Sequence, residues 1–165
     1  MTISLEVLAR VRGTASKSTD AGTVSLPINE SCALSLANGT GADQANLHYI
    51  DGFSIASGGN TTYDVAGSLS DDLGQSAVFS AIKAIMVIAD DTNTTDLTIG
   101  NGTNGFDGPF DDATATVTLK PGACMLITNP SAAGWAITGG SNDVIKIANG
   151  SGATATGTLV VIGES

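Results

Sequence analysis

The chain has 165 residues, of which 42% are hydrophobic and 13% are charged, so its composition is that of a folded domain and not of a disordered segment. Its formal net charge is −10 at pH 7 with only six Lys and Arg residues, which argues against a surface that binds nucleic acid phosphates. Aromatic residues make up 4%, which disfavours a platform for stacking sugars or bases.

The first 17 residues are predicted to form an N-terminal strand or arm, with a neighbouring subunit as its expected contact. Apolar residues between Ile3 and Val11 alternate loosely, which favours a strand over a helix. Half of the basic residues lie in this segment, at Arg10, Arg12 and Lys17, and they are candidate interface residues for an acidic neighbour. The alternative is that they are solvated surface cations. Residues 18–165 are predicted to form one β domain.

No run of residues approaches the ~20 apolar positions that a membrane-spanning helix needs. Glu6 interrupts the apolar N-terminal stretch and no basic segment precedes it, so the sequence predicts no signal peptide and a protein made in a reducing cytoplasm. In that compartment Cys32 and Cys124 are expected to be buried free thiols on strands.

Short apolar runs between turn residues predict strands along the rest of the chain. Residues 16–23 are small and polar and predict a loop, Asn38-Gly39 predicts a tight hairpin turn, and Gly52 predicts a bulge. Residues 67–75 predict a polar connection with room for one helical turn. The predicted strands are 24–28, 32–36, 46–55, 61–65, 82–89 (a central strand covered on both faces), 94–99 and 113–119.

The last third of the chain repeats the pattern of strand and turn with little reactive chemistry. Its apolar runs are Val117–Thr128, which the Pro121-Gly122 turn interrupts, Asp143–Gly150 and Gly157–Gly163. With about 8–10 short strands and no convincing long helix, the expected fold is all-β, an antiparallel jelly roll or β-sandwich.

The residues offer little for catalysis. The only imidazole, His48, lies inside a predicted strand without an adjacent Ser or Cys motif, and one His with two distant Cys residues does not make a zinc site. The carboxylate pairs Asp71-Asp72 and Asp111-Asp112 are adjacent in sequence, whereas glycoside hydrolysis needs two carboxyl groups that face each other across a cleft. We expect no enzyme, no catalytic residues and no cofactor.

A weak calcium candidate is the acidic turn containing Asp90, Asp91, Asn93 and Asp96. Its oxygen side chains suit a hard cation, and three further carboxylates, those of Asp107, Asp111 and Asp112, follow in a later loop. The spacing lacks the Gly and the final Glu of the twelve-residue calcium loop, and Asx-rich turns also serve simply to reverse a chain. No metal site is therefore assigned from the sequence.

The segment Lys120–Gly150 carries a family resemblance. It contains the Pro121-Gly122 turn, Gly134-Trp135 and the strand Ser141–Ile147, and the chain then closes on Ile162–Ser165. With Leu36–Ala45 and Ile82–Val87, these motifs resemble those of small virion structural proteins of tailed bacteriophages.

The resemblance implies a jelly-roll-like protein that decorates or cements the outside of a phage capsid. It implies the major capsid protein or other virion proteins as partners, a homo-oligomer that is often a trimer, and a place in the virion after synthesis in the bacterial host. No catalytic residues come with it. A tail, neck or head-fibre component is the first alternative, and a glycan-binding β-sandwich module is the second.

Trp135 is the only tryptophan and has two interpretations. It is either a plug in the core or an anchor at an interface, where Trp is enriched among the residues that dominate binding energy.

Overall fold

The computed structural model describes residues 2–67, 69–71 and 73–165. The described chain is all-β, as expected, and none of it forms a helix long and apolar enough to cross a membrane. The first three strands are β1 Leu5–Thr19, β2 Gly22–Asn38 and β3 Gln44–Ala45. The others are β4 Leu47–Ile55, β5 Asn60–Asp64, β6 Ala81–Ala89, β7 Leu97–Gly100, β8 Thr116–Leu119, β9 Cys124–Thr128, β10 Trp135–Ala136, β11 Val144–Asn149 and β12 Ala155–Glu164.

Strands β4–β12 form two sheets. The five-stranded sheet has the order β10-β6-β12-β4, with β9 also pairing with β6, and the four-stranded sheet has the order β5-β11-β7-β8. All of these pairings are antiparallel, and the chain passes repeatedly from one sheet to the other. The arrangement is that of a β-sandwich, while the jelly-roll connectivity is not confirmed by this strand order.

One hydrophobic core joins the two sheets. Ile85 on β6 and Leu159 on β12 come from the five-stranded sheet, and Ile99 on β7 and Ile147 on β11 come from the four-stranded sheet. These side chains alternate with outward-facing neighbours along each strand, which is how a sandwich covers one face of each sheet. As predicted, β6 is a central strand, but it is covered on both faces only over residues 81–85, because Met86 and Ile88 are partly exposed on the outer face of the sheet.

Strands β1 and β2 form a long hairpin outside the sandwich, which we call the arm (Leu5–Asn38). All fifteen residues of β1 pair in unbroken register with β2, from Leu5↔Leu36 to Thr19↔Gly22. At about 3.3 Å per residue the hairpin is about 50 Å long. Residues 8–33, which we call the tip, are all exposed.

The arm differs from the sequence prediction in extent. The predicted segment 1–17 ends before the end of β1 and includes none of β2. The predicted loop 16–23 is reduced to the turn at Asp20-Ala21. The two strands predicted at 24–28 and 32–36 are one continuous strand, because the polar residues between them keep the alternation of the ribbon and no core requires them to be apolar.

Two predicted turn features are also wrong. The chain leaves β2 at Asn38-Gly39 but does not form a tight hairpin, because β3 pairs with β2 in parallel. Gly52 pairs regularly with Thr158, and the irregularity lies instead between Ile162 and Gly163 on β12. The Pro121-Gly122 turn forms as predicted, with Gly122 in the left-handed region at φ +75°. No helical turn is seen between 67 and 75, where Ser68 and Asp72 lie outside the described residues.

Candidate assembly surface

The arm has one apolar and one mainly polar face. Directly opposed residues of an antiparallel pair project from the same face, so the register assigns each side chain. Two charged residues, Lys17 and Glu30, share the apolar face. The remainder of that face is formed by Leu5, Val7, Ala9, Val11, Gly13 and Ala15 of β1 with Val24, Leu26, Ile28, Cys32, Leu34 and Leu36 of β2, and by Thr19 and Gly22 next to the turn.

The apolar face is covered only at the foot of the arm. There Leu34 and Leu36 are buried against Ala84 and Ile162, which lie on the outer face of the five-stranded sheet. Further out the same face is open to solvent, and its side chains are 66% (Val11), 65% (Leu26), 63% (Val24) and 39% (Ile28) exposed. Because burying one such side chain contributes about 1.5–3 kcal/mol, an uncovered stripe of four is a mark of a binding surface.

A second apolar surface crosses the outer face of the five-stranded sheet. The register aligns Ile50 with Val160, Val160 with Met86, and Met86 with Leu126. These four residues, which we call the belt, form a row from edge strand β4 to edge strand β9. Ile50 is 42% exposed and the other three are partly exposed.

The belt lies beside the foot of the arm. The adjacent row on the sheet contains Ala84 and Ile162, which the arm covers. Between the belt and β1 runs an apolar groove of about 480 Å³, and Leu5–Leu8 form its wall on the arm side. The groove borders a strand whose outer edge is unpaired, since β1 hydrogen-bonds only to β2 among the described strands.

The sequence-predicted interface residues lie on two different elements. Arg10 and Arg12 are on the polar face of the arm, where the Arg10 guanidinium donates to Asn29 Oδ1 at 2.8 Å, and Lys17 is on the apolar face near the turn. Trp135 on β10 is partly buried, packs against the core, and meets Phe106 edge-to-face with ring centroids 6.3 Å apart. These contacts agree with the interpretation of Trp135 as a core residue, and a role for Trp135 at an interface stays a prediction.

Sequence reasoning missed the apolar face and the belt. The alternation of apolar residues from Val24 to Leu36 was a readable signal of one long strand. The belt had no such signal, because its four residues come from four strands and meet only through the cross-strand register.

The side chains of the calcium candidate form contacts within the fold. The Thr156 hydroxyl donates to the Asp90 carboxylate, and Lys120 Nζ donates to Asp96 Oδ2 at 2.5 Å. The Asn93 amide makes two 2.8 Å hydrogen bonds with the backbone of Thr156, while Asp91 is exposed. Among the described residues there is no group of three His, Cys, Asp or Glu side chains placed to hold a metal ion.

The other residues considered for chemistry are engaged locally. Asp71 Oδ1 accepts hydrogen bonds from the backbone of Leu73 and Gln75, while its sequence neighbour at 72 lies outside the described residues. Asp112 accepts from the backbone and hydroxyl groups of Thr114, and these bonds lower the pKa of its exposed carboxyl group. His48 opposes Ile162 in the row of the sheet that the arm covers.

The prediction of buried thiols is wrong. Cys32 and Cys124 are both free and exposed. Cys32 lies on the apolar face of the arm, and Cys124 opposes Ile88 on the outer face of the sheet, one row beyond the belt. An apolar strand pattern indicated burial, but both residues point away from the sandwich core towards the surfaces described above.

Three polar groups tie the sandwich together internally. Lys83 is fully buried, donates to the carbonyl oxygens of Ser131 (2.6 Å) and Ala132 (2.7 Å), and lies 3.4 Å from Glu164 Oε2. The buried Asn149 amide bridges β11 to the end of β4 through the Ile55 carbonyl oxygen at 2.9 Å.

The third group is the phenol of Tyr63, which donates to Asp51 Oδ2 at 2.8 Å. Its pKa lies well above the ordinary value, chiefly because burial disfavours the phenolate and also because the Asp51 carboxylate accepts a hydrogen bond from the neutral phenol.

Comparisons with known proteins add no relative, since no family model, no curated protein and no solved structure matches the chain.

Proposed function

We propose that this protein is a structural subunit of a tailed-bacteriophage particle that binds the outside of the capsid and stabilises the shell. The observation that carries the proposal is the arm, a hairpin that extends from a compact sandwich with one face apolar and uncovered. Such an element has little use in an isolated subunit, because its exposed apolar side chains stabilise nothing until another surface covers them.

The distribution of charge supports an assembly role. The arm contains three acidic and three basic residues, so the whole net charge of −10 belongs to the remainder of the chain. A strongly acidic body keeps a protein soluble when it is present in many copies and resists unspecific association. The arm, which has no net charge, is then the segment suited to contact.

The resemblance of Lys120–Gly150 to phage virion proteins supports the choice of particle. A decoration protein that binds the assembled shell but not free shell subunits adds its binding free energy to the stability of the particle. A tip about 36 Å long, at 3.3 Å per residue, can reach from the sandwich across a joint between neighbouring subunits.

A variant without the tip tests this role. Replacing residues 10–31 by Asn-Gly leaves the foot of the arm intact and closes a new turn between Ala9 and Cys32. Hydrogen-bonded and non-hydrogen-bonded pairs alternate along an antiparallel ribbon. Because Ala9↔Cys32 lies an even number of pairs from the native closing pair Thr19↔Gly22, the new turn is closed by the same type of pair as the native turn. Removing residues 1–17 would be a poorer test, because it would leave most of β2 without its partner.

The measurement is co-sedimentation with capsids of the encoding phage from which this protein has been stripped. We expect the wild-type protein to bind and to raise the temperature at which shells rupture, and the tip variant to keep its circular dichroism spectrum and lose binding. Immunogold labelling of intact particles is the companion measurement. A label on the tail or neck, with none on the capsid, would contradict the proposal and favour the alternative virion location.

A further inference from the structure

We propose that the protein associates with a second copy of itself by arm exchange, in which the apolar face of each arm covers the belt of the other copy. This inference goes beyond the proposed role in a virion and does not depend on it. It concerns the purified protein alone.

The chain already makes a contact of this kind within one copy. At its foot, the apolar face of the arm packs through Leu34 and Leu36 on the row of the outer sheet face that contains Ala84 and Ile162. The belt is the next row of the same face and presents the same kind of side chain. A further stretch of this apolar face placed on the belt therefore extends an existing interface with the same chemistry.

A single copy leaves both surfaces largely uncovered. All residues of the tip are exposed, so the tip does not cover its own belt, of which only Val160 packs against the residues at the foot of the arm. Val11, Val24 and Leu26 remain more than 60% exposed, and the belt residue Ile50 is 42% exposed. A two-fold exchange covers both surfaces in both copies at once, which is the self-complementary geometry of a symmetric dimer.

The distribution of charge favours contact through the arm. Two bodies that each carry the full net charge of −10 repel each other, whereas the arm has no net charge. Arg10 and Arg12 lie on the face opposite the belt contact, so neither guanidinium is buried by it. Lys17 and Glu30 do share the apolar face, but at both positions the outer edge of the strand is unpaired among the described strands, since β2 pairs with β3 only at Ala37 and Asn38, and a long side chain can reach water from there.

The belt limits the contact area. It crosses four strands about 4.8 Å apart and is therefore about 20 Å long, whereas one face of the tip measures about 36 Å by about 10 Å. Reciprocal exchange then covers four surfaces of about 20 Å by about 10 Å, or about 800 Å² in total, which is the size of a weak and concentration-dependent association. The remaining part of each tip stays free for another surface.

The test is sedimentation of purified protein over a range of concentrations. We expect wild-type protein to sediment as a species larger than the 16.3 kDa monomer. Both the tip variant and Ile50→Glu should weaken association at least tenfold, the first by removing the arm contact and the second by placing a carboxylate in each belt. Val78→Glu is the matched control, because Val78 is 41% exposed and lies outside both the arm and the belt. It should associate like wild type.

Mixing the two defective variants separates arm exchange from other modes of association. The tip variant retains a belt and Ile50→Glu retains an arm, so an equimolar mixture should form one arm–belt contact and sediment as a heterodimer. If the two arms instead packed face to face, Ile50→Glu would associate normally and the mixture would gain nothing.

A wild-type protein that stays monomeric at high micromolar concentration would overturn the inference. If that monomer still bound capsids through its tip, the proposed function would stand without it.

Discussion

Among the charged residues, Lys83 is the one on which the interior of the sandwich depends most. It lies on the central strand β6, is fully buried, and holds the loop after β9 through the carbonyl oxygens of Ser131 and Ala132. Its ion pair with Glu164 also ties the end of β12 to the same place. A buried charge is tolerated here because its ammonium group meets two carbonyl oxygens and a carboxylate.

We expect Lys83→Met to lower the free energy of unfolding by about 3–5 kcal/mol, because it leaves the Glu164 carboxylate buried without a cation and two carbonyl oxygens without a donor. Urea denaturation followed by circular dichroism measures the change. Lys120→Met is the control, since the exposed Lys120–Asp96 pair should contribute less than about 1 kcal/mol. Adding Glu164→Gln to Lys83→Met should recover part of the loss, and equal losses for the two lysine variants would contradict this account.

The arm is the element whose local stability differs most from that of the rest of the molecule. Its base shares buried contacts with Ala84 and Ile162, whereas the tip is a two-stranded ribbon with both faces in solvent. Isolated two-stranded ribbons are only marginally stable in water, because no third layer contributes apolar burial. The tip therefore depends on a partner surface for its order.

Hydrogen exchange should show this difference. In dilute protein we expect amides of the tip to exchange far faster than those of β6 and β12, which pair with each other in the middle of the five-stranded sheet. Raising the protein concentration should slow exchange in the tip, because arm exchange covers it, and should leave β12 unchanged. Protection of the tip equal to that of β12 in the dilute monomer would contradict the prediction.

Apart from the arm, the described molecule is one sandwich whose two sheets share one core, so the two sheets should unfold together. Asn149 illustrates the coupling, because it belongs to the four-stranded sheet and its amide donates to carbonyl oxygens of Ile55, Ala56 and Ala153. Its Oδ1 accepts a 2.6 Å hydrogen bond from Thr95. Asn149 therefore links the two sheets through hydrogen bonds and is not a surface group.

We expect thermal unfolding followed by Trp135 fluorescence and by far-ultraviolet circular dichroism to give coincident transitions, since Trp135 packs on the shared core. Asn149→Ala should lower both midpoints by the same amount, corresponding to about 2–4 kcal/mol for the buried partners it leaves unsatisfied. Thr95→Val removes one of these bonds and should cost less. Separate midpoints for the two probes would show that the sheets unfold independently.

The all-β class, the absence of a long helix and the central position of β6 could be predicted from local pattern. Alternation of apolar residues and turn chemistry act over a few residues, so Asn60–Asp64, Ala81–Ala89 and Val144–Asn149 were placed close to their true bounds. The acidic balance and the concentration of basic residues near the start of the chain were likewise properties of sequence alone.

Only the tertiary structure decided which apolar residues are core and which are surface. Val24 and Leu34 have the same strand pattern, yet one is exposed on the tip and the other is buried at the foot of the arm. Cys124 and Met125 are adjacent, yet the first faces outwards while the second packs against the core. The physical reason is that alternation defines two faces of a strand but does not say which face another layer covers, since that depends on the pairing of strands distant in sequence.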